Sequence, residues 1–460
     1  MFFTNMCLAK FSTDPLHEIA ADLKSTDLCR RFSAATALSE IRDPRAVPLL
    51  LSAMGDQVMA VRKAVSYALL EHAKNDPSIF QIIKEKINDS DANVRDTAMD
   101  FVGQSSYEDA VNLLLKGLED PAEQVRITAI TFLGIRKEKK AIPQLLRFLE
   151  AGANECTAAK NALISIADES IIPKIISKAS HEKEHTRQAV AEILGYFPVA
   201  PNNVSTLLRL LRDPSRNVRI SAIESLGKLR REHTADALIE MANDEDVETA
   251  VAAIYALSMI PHEKVVKTLI KLCGSEKRKI RTAAAVALYR LRGGDPDFLK
   301  EMACATFTEY RRESAILMIG LSRNPAYIPF LEQKLKDDSM IVRIAVVHAL
   351  AKMPSNSAIN ALLFALTDHC ENVRVEAASA IQYFAREHLP DSPIKTIVLD
   401  IASTALSLDT TADDRMWRTL KTALVDAFKK LRETAYHHGE YINLKKIDEI
   451  ITLLQRRFST

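Results

Sequence analysis

One pattern recurs along most of the chain and limits what it can fold into. Its clearest copy runs Asp213-Pro214-Ser215-Arg216-Asn217-Val218-Arg219-Ile220-Ser221-Ala222-Ile223-Glu224-Ser225-Leu226-Gly227. An acidic residue stands six positions before an arginine, then a run of small and aliphatic residues leads to Leu-Gly. Aligned on that arginine, the copies fall at Arg31, Arg62, Arg95, Arg126, Cys156, Arg187, Arg219, Ala250, Arg281, Arg312, Arg343 and Arg374. The spacing is about 31 residues from end to end. Seven residues later stand Leu38, Leu69, Val102, Leu133, Leu163, Leu194, Leu226, Leu257, Leu288, Ile319, Leu350 and Ile381, every one aliphatic. A register held this long marks an internal repeat.

Each repeat carries two helical patterns. The second is illustrated by Val218, Ala222, Ile223 and Leu226, which fall on one face of an α-helix. The first precedes it, as in residues 141–149, and Pro48, Pro143, Pro173 and Pro329 sit near its start. Proline is tolerated there because a first-turn amide has no partner within the helix. A two-helix unit cannot bury its apolar face alone, so neighbours must stack. The period therefore predicts an all-α fold, an α-solenoid of about twelve units over residues 14–388. Residues 1–13 read as an N-terminal extension. Beyond Pro390 the register stops, and residues 389–460 read as a helical cap with helices near 394–406, 413–434 and 443–458. On the last, Leu444, Ile447, Ile451, Leu454 and Phe458 share one face, and Lys445, Lys446, Arg456 and Arg457 the other.

Composition agrees with this reading. Of 460 residues 47% are hydrophobic and only 6% aromatic, with 12 Gly and a net charge of +1. Such a balance gives no general attraction to nucleic acid or to anionic membrane. No uncharged stretch reaches transmembrane length. The N-terminus lacks the basic start of a signal peptide, so a cytoplasmic location is expected. Cys7, Cys29, Cys156, Cys273, Cys304 and Cys370 are scattered without a CxxC pair and read as reduced thiols.

The turn Asp, the Val-Arg pair, the mid-helix Ala and the Leu-Gly together resemble HEAT repeats, in particular the short bacterial type also found in phycobilisome lyases. The resemblance covers about four-fifths of the chain and implies the fold. It permits, without a diagnostic residue, a lyase-like role in attaching a bilin to a phycobiliprotein. Cys156 and Ala250 depart from the pattern.

The recurring Asp and Arg have a structural reading. Asp56, Asp120, Asp213, Asp337 and Asp368 lie in the turn between the two helices. A carboxylate there can cap the second helix, and it can reach an arginine of a neighbouring repeat. Arg62, Arg126, Arg219, Arg343 and Arg374 would form the other side of such a ladder, interrupted at Cys156 and Ala250.

No catalytic constellation emerges, and no cofactor or metal is expected. His181-Glu182-Lys183-Glu184-His185 matches HExxH, but the register puts it across a turn and a helix start, whereas zinc needs both histidines on one helix face. His17-Glu18, His181-Glu182 and His262-Glu263 occupy unlike repeat positions, unlike the matched pairs of HEAT-like di-iron enzymes resembling deoxyhypusine hydroxylase. His437, His438 and Glu440 read as a solvated loop.

The positions one and five residues after the aligned arginine point away from the core of the second helix. Among all of them Lys63 is the single Lys or Arg. Phosphate tracking needs repeated cations, so this face argues against the DNA grip of HEAT-like proteins resembling alkylpurine DNA glycosylases. From the seventh repeat onward the same positions become apolar: Ile220, Val251, Tyr255, Val286, Leu317, Ile344 and Val375. A strip of this kind reads either as self-buried by curvature or as a groove for a helix or extended segment of another protein. The expectation is a non-catalytic scaffold with a protein partner, its oligomeric state unspecified, with lyase-like bilin attachment and nucleic-acid binding as the alternatives.

Overall fold

A computed structural model describes residues 15–199, 202–293, 295–304, 306–389, 391–408, 414–438 and 443–457. Residues 1–14 lie outside them, and with them the N-terminal extension expected from the sequence. Twelve two-helix repeats follow one another, and among the described residues there is no strand. The second helices are α1 (Leu28–Leu38), α2 (Met59–Ala73), α3 (Ala92–Gln104), α4 (Glu123–Ile135), α5 (Ala153–Ile166), α6 (Glu184–Leu194), α7 (Arg216–Leu229), α8 (Val247–Leu257), α9 (Arg278–Arg292), α10 (Glu309–Ser322), α11 (Met340–Ala351) and α12 (Glu371–His388). Three helices complete the chain: α13 (Pro393–Leu408), α14 (Asp414–His438) and α15 (Leu444–Arg457).

The chain divides into two compact units, residues 1–229 with repeats one to seven and residues 230–460 with the rest. Each is an α-solenoid in its own right. Consecutive second helices pack side by side, α3 on α4 and α4 on α5 in the first unit, α10 on α11 and α11 on α12 in the second. The twelve aliphatic residues seven positions after the aligned arginine are all fully buried. They form the spine of each core, and a buried aliphatic side chain of this size contributes about 1.5–3 kcal/mol.

The first helices begin as the prolines predict. Pro143, Pro173 and Pro329 lie in the first turns of Ile142–Phe148, Ile172–Ser177 and Ile328–Lys334, each preceded by a 3₁₀ turn. The Leu-Gly glycine has a steric reason. A Cβ on Gly134 would stand 2.6 Å from the Ala162 Cα of the next second helix, and one on Gly195 would stand 2.7 Å from the Ser225 Cβ. The helices come that close because nothing projects between them.

The C-terminal helices do more than close an end. α13 packs on α12, α14 on α13, and α15 on α14. α15 then returns to the first helix of the twelfth repeat, Asn356–Ala365. The Asn443 amide donates to Asn360 Oδ1 at 3.1 Å, and Lys446 pairs with Glu332. On α15, Ile447 and Ile450 are buried and Leu444 and Ile451 half-buried, while Leu454 and Phe458 of the face read off the sequence lie outside the described side chains.

Candidate protein-docking face

The aspartate of the inter-helix turn works first on its own turn. Oδ1 of Asp56, Asp120, Asp213, Asp337 and Asp368 accepts the backbone N–H two residues on, at 2.8–3.1 Å. This is an Asx turn, so the side chain shapes the loop before the second helix; the expectation of a cap on the helix end itself is corrected to that extent. The aligned arginine closes the same loop from the other side. Arg343 Nη1 donates to the carbonyls of Asp337 and Asp338 at 2.8 and 3.1 Å, and Arg126 and Arg219 repeat the arrangement at their own turns.

The remaining guanidinium donors reach the next repeat. Arg31 binds Asp56, Arg95 binds Asp120, Arg187 binds Asp213, Arg312 binds Asp337 and Arg343 binds Asp368, each with two N–H groups on the two carboxylate oxygens. At Asp56, Asp120, Asp213 and Asp337 burial alone would raise the carboxyl, but the guanidinium and the turn N–H outweigh it and hold these four below the usual carboxylate range.

Three arginines find other partners. Arg126 Nε takes Glu155 at 2.6 Å, because the next turn offers no Asp in register. Arg62 Nη2 takes Asp96 at 2.8 Å, while Asp89, in the expected place, is held by Lys86 at 3.0 Å. Arg281 Nε takes Glu313 at 2.5 Å, since Thr306 stands where the turn Asp belongs. Asp96 and Glu313 both sit one residue after their aligned arginine. In the repeat of Cys156, Lys160 pairs with Glu192 of the next repeat; in the repeat of Ala250, Glu248 is met by Lys279 of the next repeat in an exposed pair. Burial pushes the Cys156 thiol up to about 11 and the Cys273 thiol up to about 12.

The Arg62–Asp96 and Arg281–Glu313 pairs each line a cavity on the second-helix face. In the first unit it measures about 330 Å³ and is built from Met59, Arg62 and Lys63 on α2, Asp96, Thr97 and Asp100 on α3, and Ile127, Thr128, Thr131, Phe132 and Ile135 on α4. In the second unit it measures about 290 Å³. There Arg278, Arg281 and Thr282 come from α9, Glu313, Leu317 and Gly320 from α10, and Ile341, Ile344, Ala345, His348 and Ala349 from α11, closed by Lys352 at its end. The two are built from matching repeat positions. Sequence reading named Leu317 and Ile344 but missed the cavities. A signal was available, for Asp96 and Glu313 are the two acidic residues in the stripe one position after the arginine.

The seven apolar groove residues divide between the units. Ile220 belongs to the first; Val251, Tyr255, Val286, Leu317, Ile344 and Val375 belong to the second. All are half-buried except Tyr255, which is 38% exposed and lies under the Arg290 guanidinium at 5.8 Å. Among the other positions of the two stripes Asp96 alone is buried.

The residues weighed for metal sit apart. His181 lies in a turn, where its Nδ1 accepts the Lys183 amide, whereas the His185 ring meets the Ala151 carbonyl at 3.0 Å. His262 Nδ1 accepts the Lys264 amide. Among the described residues no group of three His, Cys, Asp or Glu side chains is placed to hold a metal ion. His437 and His438 end α14, and Glu440 lies outside the described residues. Several basic residues outside the two stripes are engaged internally: Arg136 donates to the Gly103 carbonyl, Lys139 pairs with Asp168, and Lys228 covers the Tyr196 ring. No helix of the described residues is long and apolar enough to cross a membrane.

The family model of HEAT repeats matches residues 77–164, 172–257, 235–318 and 298–382. The chain belongs to the HEAT-repeat family. A second model, the PBS lyase HEAT-like repeat, matches residues 30–56. No curated protein matches in sequence. Among solved structures, YibA of Escherichia coli is similar at 18% identity over 58% of this chain and 99% of its own, with a TM-score of 0.42. Kap95p, in a complex with RanGDP, is similar at 14% identity over 92% of this chain and 68% of its own, TM-score 0.48. Kap121p bound to Ste12p matches at 15% identity over 95% and 53%, TM-score 0.43.

Proposed function

We propose that this HEAT-repeat chain is a non-catalytic scaffold that takes a helix or extended segment of another protein on the second-helix face of its second unit. The observation that carries the reading is the half-exposed apolar strip Val251, Tyr255, Val286, Leu317, Ile344 and Val375. It runs through five consecutive repeats and opens at its middle into a cavity. Apolar side chains left half-covered in register are what an amphipathic partner buries. Lys63 is the lone Lys or Arg in the two stripes, so a phosphate backbone would find no track there. The expected setting is the cytoplasm.

The test is capture from the native organism's lysate by the full chain and by Val251→Glu/Leu317→Glu, compared by mass spectrometry. Proteins held by the parent and lost by a variant of unchanged helical signal and melting temperature support the reading. Equal capture by both refutes it, and unfolding of the variant shows that the strip serves the core instead. The match of residues 30–56 to a PBS lyase HEAT-like repeat supports bilin attachment as a second reading. Co-expression with a phycobiliprotein and a bilin, scored by colour, separates the two.

A further inference from the structure

The cavities of the two units share their construction and differ in their chemistry. In the second unit the largely buried Arg281–Glu313 pair lines the cavity together with the apolar Leu317 and Ile344. Gly320 lets α10 and α11 come close at the cavity's edge, because a Cβ there would stand 3.2 Å from Ala349. The rim carries Arg278 and Lys352, both exposed; among the described residues neither has an acidic partner. His348, also at the rim, is occupied by Glu376 at 2.9 Å. At the places of Arg278 and Lys352 the first unit has Met59 and Ile135, 57% and 65% exposed, and at the place of Leu317 it has Asp100. Burial there pushes the Asp100 carboxyl above its usual value. Beside its ion pair, one cavity has the apolar Leu317 and a cationic rim; the other has the acidic Asp100 and an apolar rim.

A volume of about 290 Å³ is at the lower edge of small-molecule sites. It suits one or two side chains better than a cofactor. Unpaired cations around an apolar hole complement an aliphatic side chain with carboxylates next to it in sequence, since the aliphatic group fills the hole while its neighbours reach the rim. We propose that the second unit's cavity anchors a linear segment of a partner protein through an aliphatic side chain flanked by acidic residues. This rests on the docking reading above and gives its partner a chemistry.

The test is fluorescence anisotropy with the full chain and three labelled twelve-residue peptides in a Gly-Ser background. One carries a central Leu between pairs of Asp, the second the same Leu between pairs of Lys, and the third Ser in place of Leu between the Asp pairs. The first binds most tightly, by roughly tenfold over either other, and its affinity falls with added salt. Arg278→Glu/Lys352→Glu, both on exposed rim positions, weakens the first peptide roughly tenfold and strengthens the Lys peptide. Equal binding of the Asp and Lys peptides, with both lost on Leu317→Glu, overturns the inference and leaves the docking reading standing. Binding of the first peptide that survives Leu317→Glu overturns the cavity as its seat. If none of the three binds, the inference fails, and the docking reading is then decided by the capture experiment alone.

Discussion

Arg343 offers the sharpest test of what holds the repeats together. Its side chain is 2% exposed and the Asp368 carboxylate it binds is 6% exposed, with Nε to Oδ2 at 2.7 Å. Replacement by Met keeps the length of the stem and removes the charge. Asp368 is then left buried without its counterion, which costs about 3–5 kcal/mol. The carbonyls of Asp337 and Asp338 lose their guanidinium donor as well, which pushes the loss toward the upper end. Adding Asp368→Asn removes the stranded charge but keeps an acceptor for the Cys370 amide, now 2.8 Å away. The double variant should therefore recover about 2 kcal/mol, the part due to the uncompensated carboxylate. Repeat arrays lose cooperativity, so a global melting temperature averages over the array and understates a loss confined to one joint. Hydrogen exchange followed by mass spectrometry over α10 to α12 reads the local opening directly. A loss of about 3 kcal/mol appears as exchange faster by more than about a hundredfold. Lys139→Met is the control, since that lysine is 69% exposed and its pair with Asp168 should be worth less than about 1 kcal/mol. Exchange in Arg343→Met as slow as in the parent, or no recovery in the double variant, refutes the argument.

Two further outcomes follow from the same contacts. Gly134→Ala should destabilise the first unit by about 1–3 kcal/mol in urea titrations, and by more than Gly103→Ala. The new methyl at Gly134 meets the Ala162 backbone, which cannot step aside, whereas at Gly103 it meets the half-buried Phe132 ring, which can swing away; the reverse order would contradict the close-approach account. Asp56, Asp120, Asp213 and Asp337 are held below their usual range in the folded chain, so the stability they confer is complete above about pH 4 and is lost as pH falls through their depressed folded values. Circular dichroism melts should be flat from about pH 7 to 5 and fall below about pH 4, with Asp213→Asn reducing the acid slope; a fall already between pH 7 and 5 would point to the histidines instead.

The repeat itself determined the fold. A 31-residue register of aliphatic positions can be satisfied only by stacking, and all twelve of those residues are buried as the spacing requires. The prolines and the Leu-Gly pairs were equally local signals, each tied to a helix start or a helix crossing. The partners of the arginines were not local. Arg62 and Arg281 occupy the same repeat position as Arg343, yet the tertiary structure turns them to Asp96 and Glu313 on the second-helix face. That choice depends on which carboxylate the next repeat brings within reach of a guanidinium. For Arg62 it depends also on Lys86 holding Asp89. The return of α15 to residues 356–365 was likewise hidden, because an amphipathic helix specifies that one face is covered and not by what. Sequence periodicity fixes how neighbouring repeats stack, since that contact is the same at every joint. The cavities arise where the joints differ, and only the packed structure shows which side chains those differences bring together.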